Sequence, residues 1–354
     1  MSTNLLSAHF RKKLLEWYNP TSRNLPWKKD ATAYKIWLSE VILQQTRVEQ
    51  GTPYYLAFVK KYPTVKTLAK APLDEVLKLW EGLGYYSRAR NLHKAAQQVT
   101  EVYNGKFPDT YEEILALKGI GSYTAAAIAS FAYNLPHAVL DGNVFRVLSR
   151  VFGISTPIDT TEGKRQFEKL AASLLDKKDA ATHNQAIMDL GAIICKPKNP
   201  LCEKCPFSSD CKALEHQEIQ QLPVKSKKLI KSNRNLHYFV VYDDKSIYIQ
   251  QRTSDDIWKG LYEFPMLETT SDQDLKKELK ILFNGQPPKL PVTPFIYKQT
   301  LTHQYISGFF YEIQMQPLPN ILQSLLKIRK STINRYAYPK IVRSYLQDRL
   351  NFLS

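Results

Sequence analysis

The spacing of apolar residues divides the chain into two parts. Up to about residue 235, apolar positions recur every three or four residues, as on the buried face of a helix. From Leu236 the period becomes two, and residues 237–242 and 247–249 flank an acidic turn at Asp243-Asp244, which is typical of a β-hairpin. The pattern therefore predicts an all-α domain followed by a smaller α+β domain.

Composition suggests where these domains begin and end. We expect a helical domain over residues 1–215, a linker over 216–234 and a second domain over 235–354. The second half of the linker is basic and contains no acid; its basic residues are Lys225, Lys227, Lys228, Lys231 and Arg234. Such a run is a solvated segment that suits contact with phosphates.

A short glycine turn, Gly119-Ile120-Gly121, joins two predicted helices at residues 111–117 and 122–133. Glycine adopts positive φ and allows close approach, and the free N–H groups of the second helix can bind a phosphate. Asp141 follows about twenty residues later, just before another helical pattern. Each feature alone has a plain interpretation, a simple turn or an N-cap. Together they bring a carboxylate and a phosphate-binding turn close in sequence.

The helix predicted over residues 32–45 carries a carboxylate among apolar side chains. Glu40 lies four residues after Ile36 and shares its face. Desolvation raises the pKa of such a carboxyl group, as a general acid near neutral pH requires. The alternative is a glutamate at the edge of this face with its carboxylate in water. The amide of Gln45 can replace a base-pair hydrogen bond, although amides are also ordinary at helix ends.

Residues 80–88 form a glycine-bracketed loop with aromatic and basic side chains. Tyr85 and Tyr86 stand beside Arg88 in this loop. Aromatic rings next to arginines suit stacking on bases and pairing with phosphates. The alternative is that the tyrosines pack back against the core.

The overall charge favours a polyanionic partner. The chain has 354 residues and a formal net charge of +16, which indicates nucleic acid before a membrane surface. No apolar run approaches the ~20 residues of a membrane span, and the N-terminal residues lack a signal-peptide core. We therefore expect a cytoplasmic protein with no membrane contact.

Four cysteines are confined to one short segment: Cys195, Cys202, Cys205 and Cys211. Thiols so close together in a cytosolic chain indicate a metal centre rather than disulfides. Zinc sites more often pair two C-x2-C units, and this spacing contains one. The residues alone leave zinc and iron–sulfur open, with iron–sulfur favoured.

Four segments closely resemble the adenine-specific, MutY-type DNA glycosylases of the helix-hairpin-helix, iron–sulfur superfamily. They are Ser39-Glu40-Val41-Ile42-Leu43-Gln44-Gln45-Thr46, Gly82-Leu83-Gly84-Tyr85-Tyr86, Leu140-Asp141-Gly142-Asn143-Val144 and Asn184-Gln185-Ala186-Ile187-Met188-Asp189-Leu190-Gly191. The resemblance covers roughly residues 8–215. It departs at Lys118, where the family usually has proline, and at Lys28, where it usually has arginine.

This resemblance implies roles for individual residues. Glu40 is expected to be the acid and Asp141 its partner carboxylate, with Tyr123 and Asn143 orienting the two. The other DNA- or base-binding candidates are Gln45 and Tyr85, which would fill the gap left by an extruded base, and Trp27, Lys28, Arg88, Gly119, Gly121 and Gln185. The loop over residues 195–211 is expected to hold a [4Fe–4S] cluster through its four cysteines.

Position 123 bears on the type of reaction. Related enzymes that also cut the DNA strand carry a lysine after the second hairpin glycine, and a lysine can form a Schiff base with the sugar. Tyr123 occupies that place here, and a phenol cannot form an imine. Its side chain can instead hydrogen-bond to Asp141 or Glu40, or simply pack. The sequence therefore predicts hydrolysis of the glycosidic bond without an efficient lyase step.

The second domain resembles the Nudix-type domains found at the end of MutY-type proteins. The resemblance rests on residues 258–265, but the carboxylate-rich helix that would hold magnesium is missing. In the family this domain checks 8-oxoguanine opposite the adenine through a Phe-Ser-His loop. The matching residues here are Leu301-Thr302-His303, so Thr302 keeps a hydroxyl and His303 an imidazole. The alternative is a polar turn between strands.

We therefore expect a monofunctional adenine glycosylase that acts, as a monomer in a bacterial cytoplasm, on double-stranded DNA containing A·8-oxoG or A·G pairs. The alternatives are a pyrimidine glycosylase with lyase activity like endonuclease III, a non-enzymatic DNA-binding protein, and a nucleotide diphosphatase. Tyr123 argues against the lyase, and the two carboxylates argue against a non-enzymatic protein. The missing Nudix helix argues against a diphosphatase.

Overall fold

The computed structural model describes residues 3–19, 23–226, 230–282, 287, 290–314 and 324–349. Contacts divide the chain into unit 1, residues 1–70 and 91–228, and unit 2, residues 71–90 and 229–354. Residues 71–90 thus group with the C-terminal residues, although they precede most of unit 1 in the chain. The domain boundaries predicted after residues 215 and 234 stay a prediction. Within the described ranges, no helix is long and apolar enough to cross a membrane.

Most of the helices that the structure describes lie before residue 216, and two lie in the C-terminal part. They are α1 (Thr3–Trp17), α2 (Ala33–Leu43), α3 (Val48–Lys61), α4 (Val65–Lys70), α5 (Leu73–Trp80), α6 (Ser87–Val102), α7 (Tyr111–Leu115), α8 (Ser122–Tyr133), α9 (Gly142–Phe152), α10 (Thr161–Leu174), α11 (Ala180–Asp189), α12 (Lys212–Glu215), α13 (Asp272–Leu282) and α14 (Lys340–Asp348). A π-helical turn, Leu190–Ile194, continues α11.

Local signals set the limits of the helices that matter most in unit 1. Thr32 caps α2 by accepting a hydrogen bond from the backbone N–H of Lys35, and the helix ends at Leu43. The helix predicted to reach residue 45 is therefore shorter, because the backbone leaves the helical conformation at Gln44, with a ψ of 116°, and Gln45 follows with a φ of +55°. Asp141 caps the start of α9, and Gly153, with a φ of +65°, ends it.

The core of unit 1 forms on the apolar face of α9. Val144, Val147, Leu148 and Val151 are buried there with residues of α1 and α10, as their helical spacing predicts. Burying a side chain of this size contributes about 1.5–3 kcal/mol. The packed face fixes the orientation of α9, so its first residues lie at a defined place next to the cavity described below.

Unit 2 is built on a mixed sheet. Its strands are β1 (Ser232–Tyr242), β2 (Ser246–Gln251), β3 (Tyr262–Glu263), β4 (Met266–Thr269), β5 (Phe295–Thr300), β6 (Gln304–Gln314) and β7 (Leu326–Arg329). The order is β3-β2-β1-β6-β5, with β4 also paired to β1 and β7 to β2. Strand β1 runs antiparallel to β2, which confirms the predicted hairpin, and parallel to β6. In the described residues strands occur only from Ser232 onward, so the predicted fold class is confirmed.

One residue of the predicted basic linker has a different role. Arg234 lies in β1, and its guanidinium contacts Asp256 at 2.9 Å and Glu268 at 2.6 Å. The expectation that this arginine is a solvated cation facing phosphates is therefore wrong, because its charge is already paired within the fold. Lys227 and Lys228 lie outside the described residues.

Candidate active site

A cavity of about 660 Å³ in unit 1 brings together residues from distant parts of the sequence. It is bordered by the start of α9 and by parts of α2, α8 and α11. Eight of the residues proposed from the sequence line it: Trp27, Lys28, Glu40, Gln45, Tyr123, Asp141, Asn143 and Gln185. The two carboxylates predicted to act together, Glu40 and Asp141, therefore face one cavity.

Glu40 is a buried acid on α2. Its side chain is largely removed from water, and this burial raises its pKa from the ordinary 4.5 to about 7. The hydroxyl of Tyr123 donates a 2.7 Å hydrogen bond to Oε2 of Glu40, which lowers the pKa, while the charge of Asp141 raises it. Because one oxygen is taken by Tyr123, the other is left to carry an exchangeable proton at neutral pH.

Asp141 is held by donors on both oxygens. Its Oδ1 accepts the backbone N–H groups of Asn143 and Val144, both at 2.8 Å, and its Oδ2 accepts the amide of Asn143 at 2.7 Å. Burial raises the pKa of Asp141 above its ordinary value, and these hydrogen bonds together with the charge of Arg146 limit the rise. N–H donors favour the ionised form of a carboxyl group, so the arrangement suits a fixed anion.

Arg146 is a buried residue of this site that the sequence reasoning missed. It donates to Oδ1 of Asn143 at 2.8 Å, to the carbonyl of Gly191 at 2.7 Å and, through Nε, to the carbonyl of Cys195 at 2.7 Å. Arg146 thus fixes the orientation of the Asn143 amide by binding its oxygen. Its position one turn after Asn143 on α9 is the signal that would have identified it.

A second missed residue, Asp189, organises another part of the cavity wall. Its side chain is fully buried and contacts Arg23 at 2.7 Å and Lys28 at 3.1 Å. It also accepts a 3.0 Å hydrogen bond from the amide of Gln185. Because an ionised carboxylate can only accept hydrogen bonds, the NH2 group of Gln185 must point toward Asp189. The side-chain oxygen of Gln185 therefore points away from Asp189. Lys28 and Gln185 therefore have fixed positions.

The glycine turn has the geometry that its residues predict. Gly119 has a φ of +77°, and an added Cβ there would lie 2.6 Å from Cβ of Asn91. Gly121 is the N-cap of α8, and among the described residues no side chain caps this end of the helix. Its N–H groups are available in the manner of a phosphate site. Phosphate binding by Gly119 and Gly121 stays a prediction.

Gln45 and Tyr85 share an unusual backbone conformation. Their φ angles are +55° and +48°, a region that residues other than glycine and asparagine rarely adopt. Strain of this kind persists where the surroundings fix it, and it is common at functional sites. Gln45 belongs to unit 1 and Tyr85 to unit 2.

In unit 2 the loop over residues 80–88 presents one tyrosine and buries the other. Tyr85 is 41% exposed, whereas Tyr86 is 3% exposed and belongs to the core. The guanidinium of Arg88 lies over the ring of Trp80, 5.1 Å from its centroid, so this arginine also supports the loop. Thr302 and His303 are exposed in the turn between β5 and β6, and the hydroxyls of Tyr85 and Thr302 are 2.5 Å apart.

The four cysteines line one small cavity in unit 1. Burial raises the pKa of Cys205 to about 11, and neighbouring thiols add to the effect, so a positively charged group would be needed to keep the sulfurs ionised together. Among the described residues, no three His, Cys, Asp or Glu side chains are arranged to hold a single metal ion. Four thiols around one small cavity are a ligand set that a zinc ion or an iron–sulfur cluster could use.

Two family models match the chain. Residues 38–173 match the HhH-GPD superfamily base excision DNA repair proteins, and residues 237–348 match the NUDIX domain. The adenine DNA glycosylase of Buchnera aphidicola subsp. Baizongia pistaciae (strain Bp) is 39% identical over 269 residues, 74% of this chain and 75% of that protein. The adenine DNA glycosylase of Homo sapiens is 45% identical over 222 residues, 60% of this chain and 41% of that protein.

Solved structures give the same fold for the helical part. A thermostable thymine-DNA glycosylase aligns with a TM-score of 0.56 and 31% identity, over 61% of this chain and all of that one. An endonuclease III in a non-covalent DNA complex aligns with a TM-score of 0.53 and 22% identity, over 61% of this chain and 99% of that one, which supports the fold alone.

The fold, the two-carboxylate cavity and the matches define the class: a base excision DNA repair glycosylase of the HhH-GPD superfamily with a C-terminal NUDIX domain. The Buchnera aphidicola relative, 39% identical over 74% of this chain and 75% of that protein, indicates the family within this class. The chain belongs to the adenine DNA glycosylase family.

Proposed function

We propose that this chain removes adenine paired with 8-oxoguanine or guanine by hydrolysing the N-glycosidic bond, and that it leaves an abasic site without cutting the strand. The observation that carries the proposal is the pair of carboxylates, Glu40 and Asp141, that line one cavity. Their environments differ, since Glu40 has a pKa of about 7 and Asp141 accepts three N–H donors. Such a difference separates an acid from an anion.

Glu40 supplies the proton that makes adenine a leaving group. The proton passes from its free carboxyl oxygen to N7 of adenine, and the bond between N9 and C1′ then breaks with its electron pair going to the base. The resulting Glu40 carboxylate accepts a proton from the water that attacks C1′. A group with a pKa near 7 can perform both transfers.

Asp141 stabilises the positive charge that develops on the sugar. The departing base leaves oxocarbenium character at C1′ and O4′, and a fixed carboxylate on that side lowers the energy of the transition state. Asn143 and the two backbone donors hold the carboxylate in place before the reaction, so no reorganisation is needed during the step.

The target adenine has to leave the base stack, because neither carboxylate can reach N7 or C1′ within a duplex. Gln45 and Tyr85 are the residues proposed to occupy the space left behind. Trp27, Lys28 and Gln185 line the cavity and would contact the extruded base. Gly119 and Gly121 would bind a phosphate of the same strand, and Arg88 would support the loop that carries Tyr85.

Unit 2 is proposed to read the base opposite the adenine through Thr302 and His303. Both are exposed at one turn, and a hydroxyl and an imidazole can hydrogen-bond to the edge of 8-oxoguanine. The acids of helix α13 are scattered among lysines, and they do not form the run of acids that a magnesium-binding helix would need. This composition favours recognition over diphosphate hydrolysis.

The cysteine loop is proposed to hold a [4Fe–4S] cluster through Cys195, Cys202, Cys205 and Cys211. When bound, the cluster would hold the loop in shape and require no part in bond cleavage, since all four thiols are used as ligands. Lys196, Lys198, Lys204 and Lys212 then form a basic rim suited to phosphates. We also infer that the protein acts as a cytoplasmic monomer on double-stranded DNA.

One assay separates this proposal from its main alternative. Duplexes with adenine opposite 8-oxoguanine, adenine opposite guanine, or thymine glycol are incubated with the protein, and the products are divided between alkali and buffer. We expect strand cleavage only at adenine and only after alkali, with little enzyme–DNA adduct after borohydride reduction. Cleavage at thymine glycol without alkali, with efficient trapping, would favour the lyase alternative.

A further inference from the structure

A short stretch of chain, residues 71–90, is anchored within unit 2 at several points. We call it the Tyr85 segment. Near its start, Asp74 accepts hydrogen bonds from Tyr262 at 2.8 Å and Gln251 at 3.1 Å. At its end, Arg90 donates to the carbonyl of Lys259 at 2.7 Å. The segment is therefore held at both ends by residues that follow residue 229.

Glu81 forms the central anchor. Its Oε1 accepts the backbone N–H of Tyr338 at 2.9 Å and two guanidinium N–H groups of Arg343 at 2.8 and 3.0 Å. Its Oε2 accepts the ammonium of Lys78 at 2.6 Å, and Lys78 also donates to the carbonyl of Tyr336 at 3.0 Å. The carboxylate is 17% exposed, so these charge-assisted bonds are shielded from much of the solvent.

The anchor lies directly before the turn that presents Tyr85. Gly82 and Gly84 have φ values of +96° and +75°. The indole N–H of Trp80 donates to the carbonyl of Gly84 at 3.0 Å, and the hydroxyl of Tyr86 accepts the N–H of Gly82 at 3.1 Å. These bonds set the internal shape of the turn. Glu81 sets the position of this turn within unit 2.

The result is that Tyr85 meets Thr302, with their hydroxyls 2.5 Å apart. The backbone of Tyr85 keeps an unfavourable φ of +48°, which requires support from its surroundings. We propose that Glu81, together with Arg343, is a positioning residue that keeps Tyr85 and Thr302 side by side and thereby sets the discrimination between 8-oxoguanine and guanine opposite the adenine. This inference rests on the proposed function.

The test uses the full-length protein with Glu81→Gln, which keeps the size of the side chain and removes its charge. Single-turnover rate constants are measured on A·8-oxoG and A·G duplexes. We expect the ratio of the two to fall about tenfold, the loss that corresponds to one charge-assisted hydrogen bond, because the A·8-oxoG rate should fall by more than the A·G rate. A role confined to stability would lower both rates together and leave the ratio unchanged.

Arg343→Gln removes the other partner of the same ion pair. An effect that both variants share therefore cannot come from a folding defect of one variant alone. We expect Arg343→Gln and the double variant to show the same reduced ratio, because both partners serve one interaction. Glu101→Gln, the same change at an exposed position of unit 1, is the matched control and should keep the wild-type ratio.

Hydrogen exchange gives a readout that does not depend on catalysis. In Glu81→Gln, backbone amides over residues 82–88 and 301–305 should exchange faster, and those of α8 should not change. Unchanged exchange and an unchanged ratio in an active enzyme would overturn the inference. Failure of the wild type to excise adenine from either duplex would instead overturn the proposed function, and the exchange data would still report on Glu81.

Discussion

The hydroxyl of Tyr123 donates a 2.7 Å hydrogen bond to Oε2 of Glu40. This contact stabilises the ionised carboxylate and so holds the pKa of Glu40 below the value that burial alone would produce. It also occupies one oxygen and leaves the other for the proton that the base receives. Tyr123 thereby sets both the acidity and the direction of the proposed acid.

Tyr123→Phe should shift the pH profile of the single-turnover rate. A general acid must be protonated, so the wild-type rate should fall above about pH 7, by roughly tenfold per pH unit. The phenylalanine variant lacks the hydrogen bond that lowers the pKa, and its fall should begin at higher pH. A profile that moves to lower pH, or does not move, would contradict the assignment of Glu40 as the acid.

Burial of Glu40 should make the protein less stable as the pH rises. Its pKa is raised on folding from 4.5 to about 7, so the folded state favours the neutral form and is not penalised below pH 4.5. Between about pH 4.5 and 7 the free energy of unfolding should decrease by up to about 3 kcal/mol from this group. Glu40→Gln should therefore melt at a higher temperature than the wild type at pH 8 and at the same temperature at pH 4.5, as measured by differential scanning fluorimetry.

Asp141→Asn should reduce excision severely by removing the fixed negative charge beside the sugar. We expect a loss on the order of 10²–10³ in the single-turnover rate, as for the removal of one preorganised electrostatic group. Asn143→Ala removes the 2.7 Å contact to Oδ2 and also the acceptor of Arg146, and it should cost at least about tenfold. Asp109→Asn, at an exposed position, serves as the control. Equal rates for Asp141→Asn and this control would remove the aspartate from the mechanism.

The cysteine loop can be tested by colour and metal content. The purified protein should absorb at about 400 nm through iron–sulfur charge transfer and should contain iron and acid-labile sulfide. Cys202→Ala should lose this band and unfold at a lower temperature, because the loop over residues 195–211 loses a ligand. A colourless wild-type protein that contains zinc would contradict the cluster assignment.

Much of the architecture follows from local pattern. The switch of apolar period near residue 235 predicts the change from helices to strands, and the spacing of Val144, Val147, Leu148 and Val151 predicts the buried face of α9. The limits of α2 were less accurate, because the positive φ of Gln45 is not encoded by a glycine or asparagine. Arg234 pairs with Asp256 and Glu268 because it lies in strand β1. The basic composition of the predicted linker therefore gave a wrong prediction, that this arginine is exposed to solvent.

The site residues that belong to sequence motifs could be predicted, whereas those whose role depends on tertiary contacts could not. Glu40, Asp141 and Tyr123 belong to recognisable segments, and they line one cavity although they lie far apart in the sequence. Asp189 and Arg146 lie within or beside those segments, but their importance comes from buried hydrogen bonds to Gln185 and Asn143. Grouping of residues 71–90 with the C-terminal unit is a tertiary property that no periodicity reveals.

The most direct test of the account is the single-turnover rate of Glu40→Gln on an A·8-oxoG duplex, measured beside its affinity for that DNA. The amide keeps the size of the side chain and can accept the hydrogen bond from Tyr123, but it has no proton to give to N7. We expect the rate to fall on the order of 10³-fold or more while the dissociation constant stays within about twofold of the wild type. Glu101→Gln should excise at the wild-type rate. A Glu40→Gln rate within about tenfold of the wild type would contradict the acid role of Glu40.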